Sequence, residues 1–275
     1  MRITIGNGGF VERLEVFGSD LTVVNAARVS FDKESAVMEP RDAKLISYLA
    51  KHGHNSPFFH PQVRFRIRMP IFVAREWFRH TVGFARNEVS RRYVDDEPEN
   101  WVPTVLRARD ANKKQGSKEE PIANNSERVE QIQKYMKDTV TFYNLLLGDG
   151  VAPEIARAVL PQAMYTEFIE TASLAAYARL CGLRLDPHAQ AEIREFAGAV
   201  STAMAEAFPV SWAALVATAE PAPVITVAEL PAVVTNVKTA ASPSEFFTAD
   251  FTKEASSVPT AHTASSVPTA HTPDT

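Results

Sequence analysis

The segment from residue 63 to residue 69 constrains the fold more than any other part of the chain, because two kinds of side chain alternate along it. Apolar residues occupy positions 63, 65, 67 and 69, and arginine occupies positions 64, 66 and 68. A period of two is that of a β-strand with one buried and one solvated face. Pro70 follows, and proline is favoured in the first turn of a helix. The segment therefore predicts a half-buried strand followed by a helix, which we expect to run to about Arg79.

Other patterns predict the remaining elements. We expect two short strands, at residues 3–5 and 11–17, joined by a glycine-rich hairpin turn. Ser19 and Asp20 cap the first helix, and Asp186 with Pro187 at its first position begins the last. The predicted helices cover residues 21–28, 42–52, 126–147, 153–160, 165–181 and 187–207, and the polar stretch 95–125 is predicted to be irregular. These elements predict the α+β class, rich in helix, with a small and mainly antiparallel sheet.

The C-terminal end differs in composition from the rest of the chain. From residue 219 onward the sequence is rich in Ala, Pro, Thr, Val and Ser, and residues 255–263 recur unchanged at 264–272. A two-copy repeat this short buries no core. We therefore expect one catalytic domain over residues 1–218 and a low-complexity, disordered tail over residues 219–275.

Charge and composition exclude several classes of protein. The chain has 29 Lys and Arg against 33 Asp and Glu, a net charge of -4, which weighs against a general nucleic-acid binder. No apolar run reaches the roughly 18–20 residues that span a bilayer, and the N-terminus lacks the pattern of a secretory signal. The single cysteine, Cys181, excludes a multi-cysteine zinc site and is expected in the core. We expect a soluble cytoplasmic protein with no metal, membrane or nucleic-acid partner.

Arginine is concentrated between residues 60 and 93, where lysine is absent. Planar, bidentate donors of this kind suit phosphate and carboxylate groups. The arginines at 64, 66 and 68 are interpreted as a solvated strand face. Arg79, Arg91 and Arg92 instead lie among large apolar side chains, where a charge needs an acidic partner or an anionic ligand. A nucleotide is the obvious candidate.

Two segments within this region resemble a known signature. Residues 74–80 are Ala-Arg-Glu-Trp-Phe-Arg-His, and residues 87–93 are Asn-Glu-Val-Ser-Arg-Arg-Tyr. We call them the signature segments, because they resemble the pattern of the flavin-dependent thymidylate synthases: Arg-His-Arg, a short spacer, then Asn-Glu-x-Ser-x-Arg-Tyr. Further matches follow the family's order at residues 26–32, 52–57, 156–161 and 183–190. The resemblance covers roughly residues 1–215.

The resemblance implies an enzyme activity and its partners. It implies transfer of a methyl group to C5 of the uracil of dUMP, with methylenetetrahydrofolate as carbon donor, FAD as the source of hydride and NADPH as reductant. It also implies a homotetramer with active sites at the subunit interfaces. The family uses no cysteine nucleophile, in accordance with the single cysteine of this chain.

The resemblance also implies roles for individual residues. Catalysis is assigned to Arg92 and Arg184, which would stabilise negative charge on the pyrimidine, and to His80 beside the flavin. The implied substrate-binding residues are Glu76, Arg79, Glu88, Val89, Ser90, Arg91, Arg92, Arg157 and Arg184. The implied cofactor-binding residues are Ser30, Ser56, Arg79, His80, Thr81, Val82, Asn87, Glu88, Ser173, Arg179 and His188.

The chain departs from the family pattern on the flavin and folate side. Thr81 stands in place of the second arginine of Arg-His-Arg, and the spacer that follows is one residue longer, which offers Arg86 as a shifted replacement. Phe59, Ser173 and Ala175 also depart from the usual residues, whereas the arginines expected around dUMP are intact. Two alternatives therefore stay open. One is C5 methylation of the ribonucleotide UMP in a specialised pathway, and the other is a nucleotide- or RNA-binding protein that has lost catalysis.

Overall fold

A five-stranded sheet forms the centre of the structure, a computed structural model that describes residues 1–94, 96–110 and 116–217. Its strands are β1 (Arg2–Ile5), β2 (Gly9–Phe17), β3 (Gln62–Pro70), β4 (Phe84–Glu88) and β7 (Tyr165–Ser173). They lie in the order β1-β2-β3-β7-β4, and each neighbouring pair is antiparallel. A separate two-stranded hairpin consists of β5 (Arg107–Arg109) and β6 (Ser117–Pro121).

Helices supply most of the remaining structure. They are α1 (Asp20–Arg28), α2 (Pro40–Lys51), α3 (Ile71–Trp77), α4 (Asn125–Gly148), α5 (Pro153–Ala156), α6 (Leu174–Arg184), α7 (Ala191–Ala207) and α8 (Pro209–Ala217). Short 3-10 turns lie at Val29–Phe31, Ser56–Phe59 and Arg157–Val159. The predicted class, α+β with abundant helix and a small antiparallel sheet, is confirmed.

Strand β3 has the two faces that its sequence predicts. Its apolar residues at 63, 65, 67 and 69 are buried, whereas Arg64 and Arg66 are exposed and Arg68 is half-buried. All three arginines have a glutamate partner on the outer side: Arg64 with Glu15 at 2.9 Å, Arg66 with Glu167, and Arg68 with Glu99 at 3.0 Å. The predicted solvated face is therefore a face of ion pairs.

The core lies between the sheet and the helices that follow β7. Helices α6 and α7 pack on each other and on β7 and β2. The Tyr177 ring meets Phe65 edge-on with their centroids 5.2 Å apart, which joins α6 to the middle of the sheet. Cys181 is buried in this layer, as predicted, and burial raises the pKa of its thiol well above the usual value. Its thiolate is therefore disfavoured, in accordance with a core residue.

Two helix predictions are wrong in their first residues. Residues 165–173 form strand β7, because Phe168, Glu170 and Ala172 alternate with less buried neighbours and face the core at a period of two. The helix begins only after Ser173, whose side chain caps it by accepting from the Ala176 N–H at 3.2 Å. The last predicted helix begins at Ala191 rather than Pro187.

A local turn explains the late start of α7. The Asp186 side chain accepts a hydrogen bond from the backbone N–H of His188 at 2.7 Å, two residues on. Asp186 therefore closes a turn rather than capping the helix. The sequence patterns did not predict the edge strand β4, the helix α8 or the two strands of the β5–β6 hairpin, which lies inside the stretch expected to be irregular. The predicted tail at 219–275 lies outside the described residues.

Candidate active site

His80 lies three residues beyond the end of α3 and is buried. Its Nε2 accepts a hydrogen bond from the Nε–H of Arg184 at 2.9 Å, so Nε2 carries a lone pair and the ring is neutral. Burial, followed by the positive charges of Arg184, Arg86 and Arg179, lowers the pKa of His80 to about 4. The imidazole is therefore uncharged at neutral pH and acts as an acceptor for the guanidinium.

Arg184, at the end of α6, is held in place by α3. Besides its bond to His80, it donates from Nη2 to the backbone oxygen of Glu76 at 3.2 Å, and its Nη1 lies 3.6 Å from the Glu76 carboxylate. Three contacts on one planar group fix its position before any ligand binds. A positive charge held in this way is preorganised to stabilise a developing negative charge.

A cleft of about 1130 Å³ opens beside this arginine. Four residues of its lining are predicted site residues: Glu76, Arg79, Arg184 and His188. The lining is completed by the β5–β6 hairpin and the start of α7, with Arg107, Asp110, Gly116, Ser117, Lys118, Glu119, Glu120, Pro187, Ala189, Gln190, Ala191 and Arg194. The cleft is therefore rich in charges of both signs, and its volume is that of a site for a large polar ligand.

The second signature segment lies at the end of edge strand β4, outside this cleft lining. The Val89 N–H donates to the Glu167 carbonyl at 2.9 Å, and the Thr166 hydroxyl donates to Glu88. Beyond β4, the Arg92 Nε–H donates to the Ser90 hydroxyl at 3.1 Å, while Arg91 donates to the Asp96 carbonyl. These residues form a second polar group on the surface of the chain, with Arg92 exposed.

The predicted cofactor residues are distributed over several elements. Arg179 donates to the Val82 carbonyl at 2.6 Å and so ties α6 to the loop after His80, where Thr81 is exposed. The Ser173 hydroxyl is buried under Gly83 and engaged as the cap of α6. Four other predicted site residues are exposed and do not line the cleft. They are Ser30, Ser56 and Asn87, implied for the cofactor, and Arg157, implied for the substrate.

Arg86 does not replace the missing arginine of the signature. Its side chain points into the interior and pairs with Glu170, a fully buried carboxylate on β7. Sequence reasoning missed Glu170 because that stretch was interpreted as helix. It also missed the hairpin residues of the cleft, such as Arg107, whose pair with Glu192 at 2.7 Å joins the hairpin to α7. The polar composition of 95–125 gave no periodic signal for two such short strands.

The fold and the site together define an α+β protein with a preorganised arginine, a neutral histidine and a cleft suited to an anionic ligand. The family model described as thymidylate synthase complementing protein matches residues 14–210. The chain belongs to this family, which confirms the resemblance.

Named relatives support the same assignment. The flavin-dependent thymidylate synthase of Kosmotoga olearia is 40% identical over 217 residues, which are 78% of this chain and 93% of that protein. The enzyme of the same name from Thermus thermophilus is 38% identical over 214 residues, 78% of each chain.

Solved structures give the same fold. The crystal structure of the UMP/dUMP methylase PolB from Streptomyces cacaoi bound with 5-Br UMP matches with a TM-score of 0.69 and 32% identity, over 79% of this chain and 98% of that one. The same methylase bound with 5-Br dUMP matches with a TM-score of 0.68 over 75% of this chain.

Two features of the described residues bear on other classes of protein. In the ranges that the structure describes, no helix is long and apolar enough to cross a membrane. The same ranges contain no group of three or more His, Cys, Asp or Glu side chains arranged to hold a metal ion.

Proposed function

We propose that this protein catalyses the flavin-dependent reductive methylation of uracil C5 in dUMP, with methylenetetrahydrofolate as carbon donor and NADPH as reductant. The observation that carries the proposal is Arg184, which is held by His80 and Glu76 and lines a large charged cleft in a member of this family. Methylation at C5 requires that carbon to become nucleophilic, which places negative charge on the pyrimidine carbonyls. A fixed guanidinium stabilises that charge.

The arginines divide the work on the nucleotide. Arg184, with Arg92, faces the pyrimidine and stabilises its charge. Arg157, with the backbone around Ser90 and Arg91, holds the phosphate, for which planar bidentate donors are suited. His80 stays neutral and keeps Arg184 in place, because a protonated ring would lose its acceptor and repel the guanidinium.

The residues present fit FAD. Two residues implied for the cofactor, Arg79 and His188, line the cleft, whose volume exceeds the roughly 300–1,000 Å³ of typical small-molecule sites. These two would hold FAD in the cleft, and His80, Asn87 and Arg179, which lie outside this lining, would hold the rest of the cofactor. When bound, FAD supplies the hydride that converts the transferred one-carbon unit to a methyl group.

The proposed assembly is a homotetramer that shares its active sites. In one chain, Arg92 and Arg157 do not line the cleft that contains Arg184, which supports a site completed by another subunit. Large apolar side chains such as Val82, Phe142, Leu145 and Ile155 are exposed, which supports association. Light scattering tests this proposal, and a monomer would contradict it.

We propose a cytoplasmic location for the protein. Phosphorylated substrates of this kind are soluble metabolites, which supports that location.

UMP is the second candidate acceptor. The specific observation in its favour is the likeness to a methylase that is named for both UMP and dUMP and was solved with 5-Br UMP. Both candidates share the arginine chemistry described above, because the two nucleotides differ only at the ribose 2′ position.

One experiment tests both candidates. The protein is incubated anaerobically with FAD, NADPH, methylenetetrahydrofolate and equal amounts of dUMP and UMP, and the nucleotides are analysed by mass spectrometry. A mass gain of one methyl replacing hydrogen on dUMP supports the proposal, and a gain on UMP alone supports the second candidate. No gain on either, with FAD bound, would overturn both and favour a binding protein without catalysis.

We also propose that residues 1–218 form the catalytic domain. The last described helix, α8, packs on the core through the buried Trp212, which supports a domain that extends at least to this helix. Removal of residues 219–275 is expected to leave the tetramer and its turnover unchanged, as measured by light scattering and initial rates. Dissociation of the shortened protein into monomers would contradict this domain boundary.

A further inference from the structure

Glu170 occupies a position where a carboxylate is unexpected. It lies in the middle of β7 on the face that also carries Phe168 and Ala172, and its exposed fraction is zero. Burial raises its pKa, which is the expected cost of removing a carboxylate from water. Such a group is tolerated in a core only when it has charged or hydrogen-bonding partners.

Arg86 and Trp77 contact this carboxylate, and Tyr177 on α6 lies close enough to counter the effect of burial on its pKa. Arg86 on β4 lies directly opposite Glu170 in the antiparallel register and pairs with it through Nε. The indole Nε1–H of Trp77, at the end of α3, lies 3.2 Å from both carboxylate oxygens. The Arg86 guanidinium also lies over the rings of Phe84 and Phe78, at 4.5 and 5.4 Å from their centroids.

These partners belong to the two halves of the site. Trp77 is in the first signature segment, three residues before His80. Arg86 immediately precedes the second, two residues before Glu88. Strand β4 lies at the edge of the sheet and pairs with a single strand, β7. One buried carboxylate thus connects the segment that holds Arg184 to the strand that leads to Arg92.

Stability alone does not account for this arrangement. A buried ion pair generally stabilises a fold no better than well-packed apolar residues of similar volume, because both charges lose their hydration. The pair is also incompletely satisfied, since the buried Nη2 of Arg86 has no hydrogen-bond partner among the described residues. What the pair adds to the β4–β7 ladder is a directional side-chain contact that also reaches Trp77 on α3.

We infer that Arg86 and Glu170 are positioning residues, which set the placement of β4 and thereby of Glu88, Ser90 and Arg92 for the nucleotide. The inference deepens the proposed function and rests on it. Neither residue touches the substrate. Their effect on turnover is exerted through the second signature segment.

The test compares variants of this pair with an exposed pair of the same kind. Arg86→Gln, Arg86→Lys and Glu170→Gln are prepared as FAD-loaded protein, with Arg64→Gln as the control. Arg64 also faces a glutamate directly across two antiparallel strands, Glu15, but both side chains are exposed. Binding of dUMP is measured by calorimetry, and kcat and KM are measured separately under conditions where each variant is folded by circular dichroism.

A positioning role predicts a specific pattern. Since a displacement of about 1 Å in a site costs up to about a hundredfold, Arg86→Gln and Glu170→Gln are expected to weaken dUMP binding and raise KM by at least about tenfold. Arg86→Lys keeps the charge and is expected to recover most of that loss, while Arg64→Gln stays within about twofold of the unaltered protein. A merely structural role would lower the melting temperature and leave Kd and KM of the folded protein unchanged.

A second variant keeps the test decisive if the single changes do not fold. The double replacement Arg86→Met with Glu170→Leu removes both charges and retains apolar volume, so this variant is expected to fold. Its binding of dUMP is nevertheless expected to be weaker than that of the unaltered protein. Folded variants with dUMP Kd and KM within about twofold of the unaltered protein would overturn the inference alone. An unaltered protein that neither binds nor methylates dUMP would overturn the proposed function, and the inference with it.

Discussion

The arginines of β3 and those of the signature segments are of one residue type and lie within thirty residues of each other, yet they have different surroundings. Arg64, Arg66 and Arg68 each pair with a glutamate. Arg79 and Arg92, in contrast, form no ion pair with a carboxylate among the described residues, and both are exposed. Arginine content alone therefore does not identify a binding site. The acidic partners decide which guanidinium groups remain available to an anionic ligand.

Two further arginines lie between these extremes. Arg86 pairs with a buried glutamate, and Arg184 contacts both Glu76 and a neutral histidine. Neither is a free surface charge. The molecule thus contains arginines that stabilise a surface, arginines that order the interior and arginines exposed for a ligand, and each group makes a different prediction for substitution.

The largest effect is expected in the interior. Glu170→Ala leaves the Arg86 charge unpaired below the surface and should reduce the free energy of unfolding by about 3–5 kcal/mol. Glu167→Ala removes the partner of an exposed arginine on the same strand and should cost no more than about 1 kcal/mol. Urea denaturation of both variants measures the difference. Equal losses would show that the buried pair has no special role in the fold.

The next effect concerns turnover rather than folding. Arg92→Ala removes a charge assigned to the transition state, so kcat/KM for the nucleotide should fall by about a hundredfold to a thousandfold, or about 3–4 kcal/mol. FAD should remain bound, as measured by its absorption band. Arg64→Ala is the matched control, and its kcat/KM should change by less than about twofold. A loss of less than about tenfold in Arg92→Ala would contradict its catalytic role.

The burial of His80 and the cations around it predict a dependence of stability on pH. Because the pKa of His80 is lowered from 6.5 to about 4 in the folded protein, the unfolded chain binds more protons between these values. Its contribution to stability is complete above pH 6.5 and is lost as the pH falls towards 4, in total about 3 kcal/mol. His80→Gln should reduce this slope in denaturation experiments at pH 4.5, 5.5 and 6.5. Measurement at pH 8 separates the packing loss from the titration, and an unchanged slope would contradict a buried neutral histidine.

The predicted fold succeeds where the sequence contains a period or a cap. Strand β3 alternates without interruption, and α1 begins after Ser19 as predicted, because these signals act within a few residues. The nine residues of β7 were assigned to a helix because an apolar helical pattern follows them directly. Their strand state depends on pairing with β3 and β4, which are distant in sequence.

The site shows the same division. The sequence placed His80, Glu76 and Arg184 in one site through resemblance, and the structure brings these three together. It offered Arg86 as a shifted replacement for the arginine absent at Thr81, whereas the structure pairs Arg86 with Glu170. The partner of a charged residue is set by strand register, and no local pattern around Arg86 contains that information.

The smallest effect is expected for the exposed ion pair between Arg64 and Glu15. Arg64 and Glu15 lie opposite each other with Nη1 and Oε2 2.9 Å apart, but both side chains are largely in water. A double-mutant cycle with Arg64→Ala and Glu15→Ala should therefore give a coupling energy of no more than about 1 kcal/mol, decreasing further as salt is added. Chemical denaturation at low and high salt measures it. A coupling of several kcal/mol that persists in high salt would mean that the arginines of β3 belong with the buried pair, and the division drawn between exposed and interior arginines would fail.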